Sequence, residues 1–247
     1  YRLSNHRPFM LWRLHFDEVF DRDNGGFDVV IGNPPYVSNK MVDKEFQVYY
    51  RAVYGMADDL YNYFFVKAFD IACNGGIIAY ISSNTYFTIQ TKQNLRRLFQ
   101  DNRVMEIIKT ENVFQNAMVE PAIIIVVKED MRGQDYELVF KDAVDDFETP
   151  STYTINVNTY RHALNQVFFP PTTLNLQVYN KYNQNLRTLL EQWWDKISSS
   201  KKIAEHSGEL EVYRQSLRAG DVTLLGLLTD GGQGLATADN GRFVGVI

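Results

Sequence analysis

Two kinds of apolar pattern alternate along the first half of the chain. Val29-Val30-Ile31, Ile77-Ile78-Ala79-Tyr80-Ile81 and Ile123-Ile124-Ile125-Val126-Val127 are continuous runs rich in β-branched side chains. Such runs predict strands covered on both faces of a mostly parallel sheet. Between the first two, Leu60, Phe64, Phe65, Ala68, Phe69 and Ala72 recur near i, i+4, i+5, i+8, i+9 and i+12. That is the single broad stripe of an amphipathic helix over 59–73, stopped by Asn74, Gly75 and Gly76. A second helix is expected over 91–102, a short strand over 104–109 and the most β-prone segment over 121–128. Residues 44–54, polar and aromatic, read as a mobile or partly helical loop. Thr149-Pro150-Ser151 and Pro170-Pro171 mark breaks. Beyond them Val178, Tyr179, Tyr182, Leu186, Leu189, Leu190, Trp193, Trp194 and Ile197 fall at helical spacing, a long amphipathic helix over 174–203. Its paired tryptophans suit an anchor against the preceding domain or a partner domain.

The first strand ends in polar chemistry. Phe27-Asp28-Val29-Val30-Ile31-Gly32 runs into Asn33, Pro34, Pro35 and Tyr36, and sheets of this kind place ligand sites just beyond the carboxyl ends of their strands. Each proline fixes φ near −65° and removes an N–H, so the backbone here is extended and offers carbonyls only. An aromatic amine is a poor nucleophile because its lone pair is delocalised into the ring. The Asn33 side-chain oxygen and the Pro34 carbonyl could accept both amine hydrogens and favour the pyramidal, nucleophilic nitrogen, the kind of matched acceptor that accelerates a reaction. Tyr36 would stack on the base, a contact of roughly 1–3 kcal/mol. A base inside a duplex reaches such a pocket only if flipped out. A tight proline turn after a buried strand is the alternative reading of the same residues.

Composition narrows this picture. With 247 residues, 45% of them hydrophobic, the chain can build one large core or one domain with an appendage. The single Cys73 excludes a disulfide framework or a cysteine zinc site and fits a reducing cytoplasm. His6, His15, His162 and His206 are scattered without metal-ligand spacing, and no metal need be invoked. Neither a membrane span nor a secretory leader is indicated. The start at Tyr1 rather than methionine suggests a fragment. The net charge of −5 provides no basic excess for phosphate binding. The cluster Lys92, Arg96, Arg97 and Arg103, and the cluster Lys196, Lys201 and Lys202, read as solvated helix faces.

The run from Phe27 to Tyr36 resembles the catalytic motif of adenine-specific DNA methyltransferases, particularly the large fused type of restriction-modification and phage-exclusion systems. The tetrapeptide alone is shared with methyltransferases that act on a protein glutamine amide. The wider order is similar to the second half of the DNA-modifying catalytic domain over residues 9–130: the helix with Asp59, Leu60, Tyr61, Phe64 and Phe65, the Gly75-Gly76 strand ending near Asn84-Thr85-Tyr86-Phe87, and a hairpin whose loop holds Phe114. More than a hundred residues continue beyond it, which favours DNA.

The resemblance implies an α/β fold: a Rossmann-like methyltransferase sheet, present as its C-terminal half with a closing antiparallel hairpin, followed by a helical connector. It implies a domain over 1–149, a connector over 150–207 and the start of a target-recognition region over 208–247. The implied catalytic residues are Asn33, Pro34, Pro35 and Tyr36, with Phe114 packing on the flipped base beside Tyr36. The implied cofactor is S-adenosylmethionine, whose glycine-rich loop belongs upstream of the tetrapeptide and is not found in the 32 residues before Asn33. Asp17 lies where the family often places a polar residue near the cofactor adenine, and it is equally placed to be a solvent-facing loop acid. The glycine-rich stretch 229–241 lacks the following helix that a cofactor turn opens. The implied partners are double-stranded DNA and restriction or defence-system subunits or fused domains, in the cytoplasm. The isolated chain is expected to be inactive. A protein-glutamine methyltransferase and a non-catalytic module that binds DNA or a partner remain the alternatives.

Overall fold

The computed structural model describes residues 11–54, 58–111, 120–183, 188, 192–193, 196, 200–221, 223 and 225–228. The expected strands form as β1 (Phe27–Gly32), β2 (Ala72–Ser83), β3 (Arg103–Thr110) and β4 (Pro121–Val127), joined by β5 (Glu137–Ala143) and β6 (Ser151–Asn156). β1 is not covered on both faces as its β-branched run predicts: among the described residues it is an edge strand, with Val29 56% and Ile31 80% exposed. They make one sheet in the order β1-β2-β4-β3-β5-β6. β1 and β2 are parallel, with Val30 opposite Ile78 and Gly32 opposite Tyr80. β4 runs antiparallel to both β2 and β3, while β5 is parallel to β3 and β6 antiparallel to β5. Hence β1, β2, β3 and β5 point the same way, and their carboxyl ends share one rim.

This is the α/β, Rossmann-like sheet with its antiparallel hairpin, and it extends further than the sequence pattern indicated. β5 lies beside the hairpin, so β3 is an interior strand, and β6 continues the sheet past the boundary expected at 149/150. Leu138 and Phe140 are buried while Glu137 is exposed, an alternation that is legible once the pairing is known.

One face of β2 carries the core. Ile78 and Tyr80 are buried there against α4 (Leu60–Ile71). Phe65 of α4 lies 5.0 Å from the Tyr80 ring and 4.8 Å, edge-on, from Phe99 of α5 (Gln93–Gln100). Tyr86 meets Phe65, Phe87, Phe99 and Phe168 edge-on. Such ring pairs contribute about 0.5–1.5 kcal/mol each beyond the area they bury. The predicted helical stripe is rotated: Tyr61, Asn62, Phe65, Ala68 and Phe69 face inward and Phe64 is 41% exposed. Helical spacing fixes a stripe's width but not which edge of it meets the sheet. Residues 44–54, expected to be a mobile or partly helical loop, are helical throughout, as α3 (Lys44–Tyr54).

The cluster read as a solvated basic face is divided by the fold. Arg97 is exposed, but Arg96 is completely buried. Its guanidinium donates to the carbonyls of Tyr86, Ile89 and Asn165 at 2.8 Å each, and burial lowers its pKa to about 10. Lys92 is buried as well. Arg103 pairs with Glu129 at 2.7 Å on the surface.

The C-terminal part is helical where described, with α7 (Thr173–Lys181) and the helices Ser200–Glu205 and Ser207–Ser216. Trp193 packs on Tyr213 of the last of these at 5.6 Å and carries the Lys196 ammonium over its ring at 5.1 Å. Trp193 therefore anchors its segment on the helix Ser207–Ser216 and not on the sheet domain as expected; Trp194 and the glycine-rich stretch 229–241 lie outside the described residues. Among the described residues no helix is long and apolar enough to cross a membrane.

Candidate active site

The tetrapeptide leaves the sheet where β1 ends. Gly32 sits opposite Tyr80, and a Cβ at this position would come within 3.2 Å of the Tyr80 ring, so the absent side chain lets the aromatic layer close beneath the strand end. Beyond it Asn33 and Pro35 are exposed, Pro34 is buried and Tyr36 is half-buried. Burial pushes the Tyr36 phenol above the ordinary tyrosine range. The fold thus buries the tetrapeptide at Pro34 and partly at Tyr36 and leaves Asn33 exposed at the rim.

Residues 33–38 form no helix or strand, so their position depends on what grips the segment. The Leu60 N–H donates to the Val37 carbonyl at 2.9 Å, and the Asn39 N–H donates to Asp59 Oδ1 at 2.9 Å. From the other side the Gln47 amide of α3 donates to the carbonyls of Asn39 and Val42, both at 2.8 Å. α3 is itself held to α4 by the Tyr50 and Tyr63 rings, stacked 3.8 Å apart.

Beneath this grip lies a buried charge cluster. The Lys92 ammonium, 2% exposed, donates to Asp58 Oδ1 and, at 2.6 Å, to Asp59 Oδ2, and lies 5.0 Å from the Tyr61 ring centroid. Tyr61 and Thr85 hydroxyls are 2.8 Å apart, and Ser83 is 2.9 Å from Thr85. Burial drives the Tyr61 phenol far above its ordinary range. Asp58, Lys92 and Thr85 were not singled out from sequence as site residues. A buried lysine close to the carboxylates of Asp58 and Asp59 is invisible in a pattern where all of them look like surface polars.

The remaining expected residues are distributed differently. Asp17 opens the short α2 (Asp17–Phe20), where its carboxylate accepts the Glu18 N–H at 2.9 Å and is exposed. Phe16 and Phe20 pack edge-on against Phe27 at 5.4 and 5.6 Å, which ties Asp17 to the amino end of β1. Asn33 leaves the opposite end, roughly 20 Å away at the rise of ~3.3 Å per strand residue. The structure does not bring Asp17 to the tetrapeptide, because aromatic packing anchors its helix elsewhere. Phe114 lies outside the described residues. The flanks of its segment do reach the same rim: Thr110 donates to the Pro121 carbonyl at 3.0 Å, and the Asn84 N–H donates to the Glu120 carbonyl at 2.9 Å.

Comparison with known proteins points to one group. Residues 2–114 match the family model described as Eco57I restriction-modification methylase. The type II restriction enzyme and methyltransferase RM.Eco57I of Escherichia coli is 27% identical over 120 residues, 44% of this chain and 12% of that protein. The type II methyltransferase M.XhoI of Xanthomonas vasicola is 29% identical over 108 residues, 40% of this chain and 20% of its own length. The chain thus spans a fifth or less of either relative. Among solved structures, a chain of a type I restriction-modification system overlaps at a TM-score of 0.47 with 12% identity, covering 78% of this chain and 46% of that one. The type IIL restriction-modification enzyme MmeI, solved in complex with DNA, overlaps at 0.41 with 17% identity, covering 52% and 19%. The matched residues 2–114 include the whole strand-to-tetrapeptide segment, so over that part the chain is similar to the Eco57I restriction-modification methylase family.

Proposed function

We propose that this chain forms the base-holding side of a DNA methyltransferase that moves a methyl group from S-adenosylmethionine to the N6 amine of a flipped adenine. The observation that carries the reading is the exposed Asn33 amide at the carboxyl rim of β1, inside the segment matched by the methylase family. Asn33 Oδ1 and the Pro34 carbonyl accept the two amine hydrogens and stabilise charge developing on nitrogen. Pro35 stiffens the turn. Tyr36, with Phe114 as its partner ring, holds the base by stacking. Direct displacement needs no covalent enzyme intermediate.

S-adenosylmethionine supplies an electrophilic methyl group when bound. Its main binding loop is proposed to lie outside this chain; among the described residues Asp17 lies toward the amino end of β1, and Gly26 at φ +128° is packed against the backbone of Cys73. This chain alone is proposed to be inactive. With a net charge of −5, most phosphate contacts to duplex DNA are proposed to come from other parts of the protein or its restriction and defence partners.

The test is methyl transfer by the full-length protein to duplex DNA, with a glutamine-bearing protein substrate offered in parallel and the product base identified by mass spectrometry. Asn33→Ala is expected to lower kcat by roughly 100-fold or more, the cost of losing one oxyanion-type partner. Tyr36→Ala is expected to weaken base engagement by about 5- to 150-fold, equivalent to ~1–3 kcal/mol of stacking. Undiminished N6-methyladenine formation by both variants, or methylation of the protein substrate alone, would sink the reading.

A further inference from the structure

The segment that carries the tetrapeptide has no secondary structure of its own over residues 33–38, and misplacement of a reacting group by about 1 Å can cost roughly 100-fold in rate. What sets its position is therefore a question with chemical consequences. Two hydrogen bonds tie it to the start of α4: Leu60 N–H to the Val37 carbonyl and Asn39 N–H to Asp59 Oδ1, both 2.9 Å. Asp59 uses one carboxylate oxygen for the segment and the other for Lys92, at 2.6 Å. Lys92 in turn is locked by Asp58, and Asp58 Oδ1 accepts the Asp59 N–H at 2.8 Å. Charged and backbone groups thus form a closed ring in which each carboxylate has a fixed direction.

A buried ion pair is seldom the most stabilising way to fill such a space, since apolar side chains of equal volume often do as well or better. What this cluster provides is direction. An ammonium between two carboxylates holds Asp59 in the one orientation that points its free oxygen at Asn39. Among the described residues Arg96, four residues on and just as buried, donates to the carbonyls of Tyr86, Ile89 and Asn165, none of which accepts from or donates to residues 33–39 in the hydrogen bonds given above.

We propose that Lys92 is a positioning residue, which acts through Asp59 to set the place of the Asn33–Tyr36 segment relative to its substrate. The proposal rests on the reading of that segment as the base-holding side of the pocket. In the protein, Lys92 never touches the base. Its ammonium fixes the carboxylate that fixes the loop.

Two measurements test it. In the 247-residue chain, amide hydrogen exchange at Asn39 and Leu60 is expected to rise in Lys92→Met at least tenfold more than exchange at the amides of β1, whose rise reads only the loss of global stability. In the full-length protein, Lys92→Met and Asp59→Asn are each expected to lower kcat for methyl transfer at least tenfold while KM for DNA stays within threefold. The double variant is expected to fall no further than the worse single one, because both act along one path. Unaltered exchange at Asn39 in folded variants, a loss carried by KM, or additive losses would overturn the proposal. Should Lys92→Met fail to fold, Asp59→Asn decides alone by the same exchange and kcat criteria. Should the wild-type protein methylate no adenine, the functional reading fails while the exchange result still decides whether Lys92 holds the loop.

Discussion

The two ends of β1 are held by opposite chemistry. At the amino end Phe27 is surrounded by Trp12, Phe16 and Phe20, three rings meeting it edge-on at 5.4–6.0 Å. Just before it Gly26 adopts φ +128°, and a Cβ there would lie 2.6 Å from the Cys73 nitrogen. At the carboxyl end the grip is polar, through Asp59, Leu60, Gln47 and, behind them, Lys92 and Asp58. Apolar packing is tolerant of direction, so it suits a strand that needs only to be covered. Hydrogen bonds and a buried ion cluster are directional, so they suit a segment whose carbonyl and amide groups have to face a substrate. The fold thus accepts the cost of buried charge at the end that carries the tetrapeptide.

Substitutions at the two ends separate these roles. The largest effect is expected from Lys92→Met, which leaves Asp58 and Asp59 without their cation; urea unfolding should show a loss of about 3–5 kcal/mol. Phe27→Ala removes the centre of the aromatic cluster and is expected to cost about 2–3 kcal/mol, below the full-core value because Phe27 is only partly buried. Exchange at Asn39 should stay as in the wild type, and an increase there would show that the two ends are coupled. Gly32→Ala is expected to cost about 1 kcal/mol: crowding of the Tyr80 ring exceeds the gain from a stiffer strand, and a stabilised variant would show that Tyr80 has room to move. The smallest effect concerns Asp28, whose carboxyl is held below its usual range first by the hydrogen bond from Arg22 at 3.0 Å. Because its folded pKa is depressed, its contribution is present above the ordinary carboxylate range and fades as pH falls through the lowered value. Asp28→Asn should flatten that part of the acid-unfolding curve slightly; an unchanged curve would assign the pair no role in stability.

Much of the strand-to-tetrapeptide segment is legible in the sequence. Val29 to Ile31 announce a strand by continuous β-branching, and Asn33 to Tyr36 announce an acceptor-rich stop, because proline and glycine impose local geometry wherever they stand. The strands β2, β3 and β4 followed from the same signal. The short β5 and β6 did not, since Glu137 to Ala143 and Ser151 to Asn156 are weakly apolar and become strands through pairing to β3 and to each other. Phe64 was taken for core and is outside. Lys92 and Arg96 were taken for surface and are inside.

What the amino-acid order decides unaided is therefore local: where strands and helices form, where the chain must turn, and that an amide and a tyrosine flank two prolines at a strand's end. Those outcomes depend on steric limits and on periodicity within a few residues. Which face of α4 meets the sheet, which lysine is buried, and that Asp59 reaches across to the Asn39 N–H depend on groups up to tens of residues apart. Asp59 and Lys92 are separated by 33 positions, and their partnership exists only because α4 and the turn before α5 pack on one side of β2. A charge's cost or value is set by its surroundings, and these are supplied by the tertiary fold.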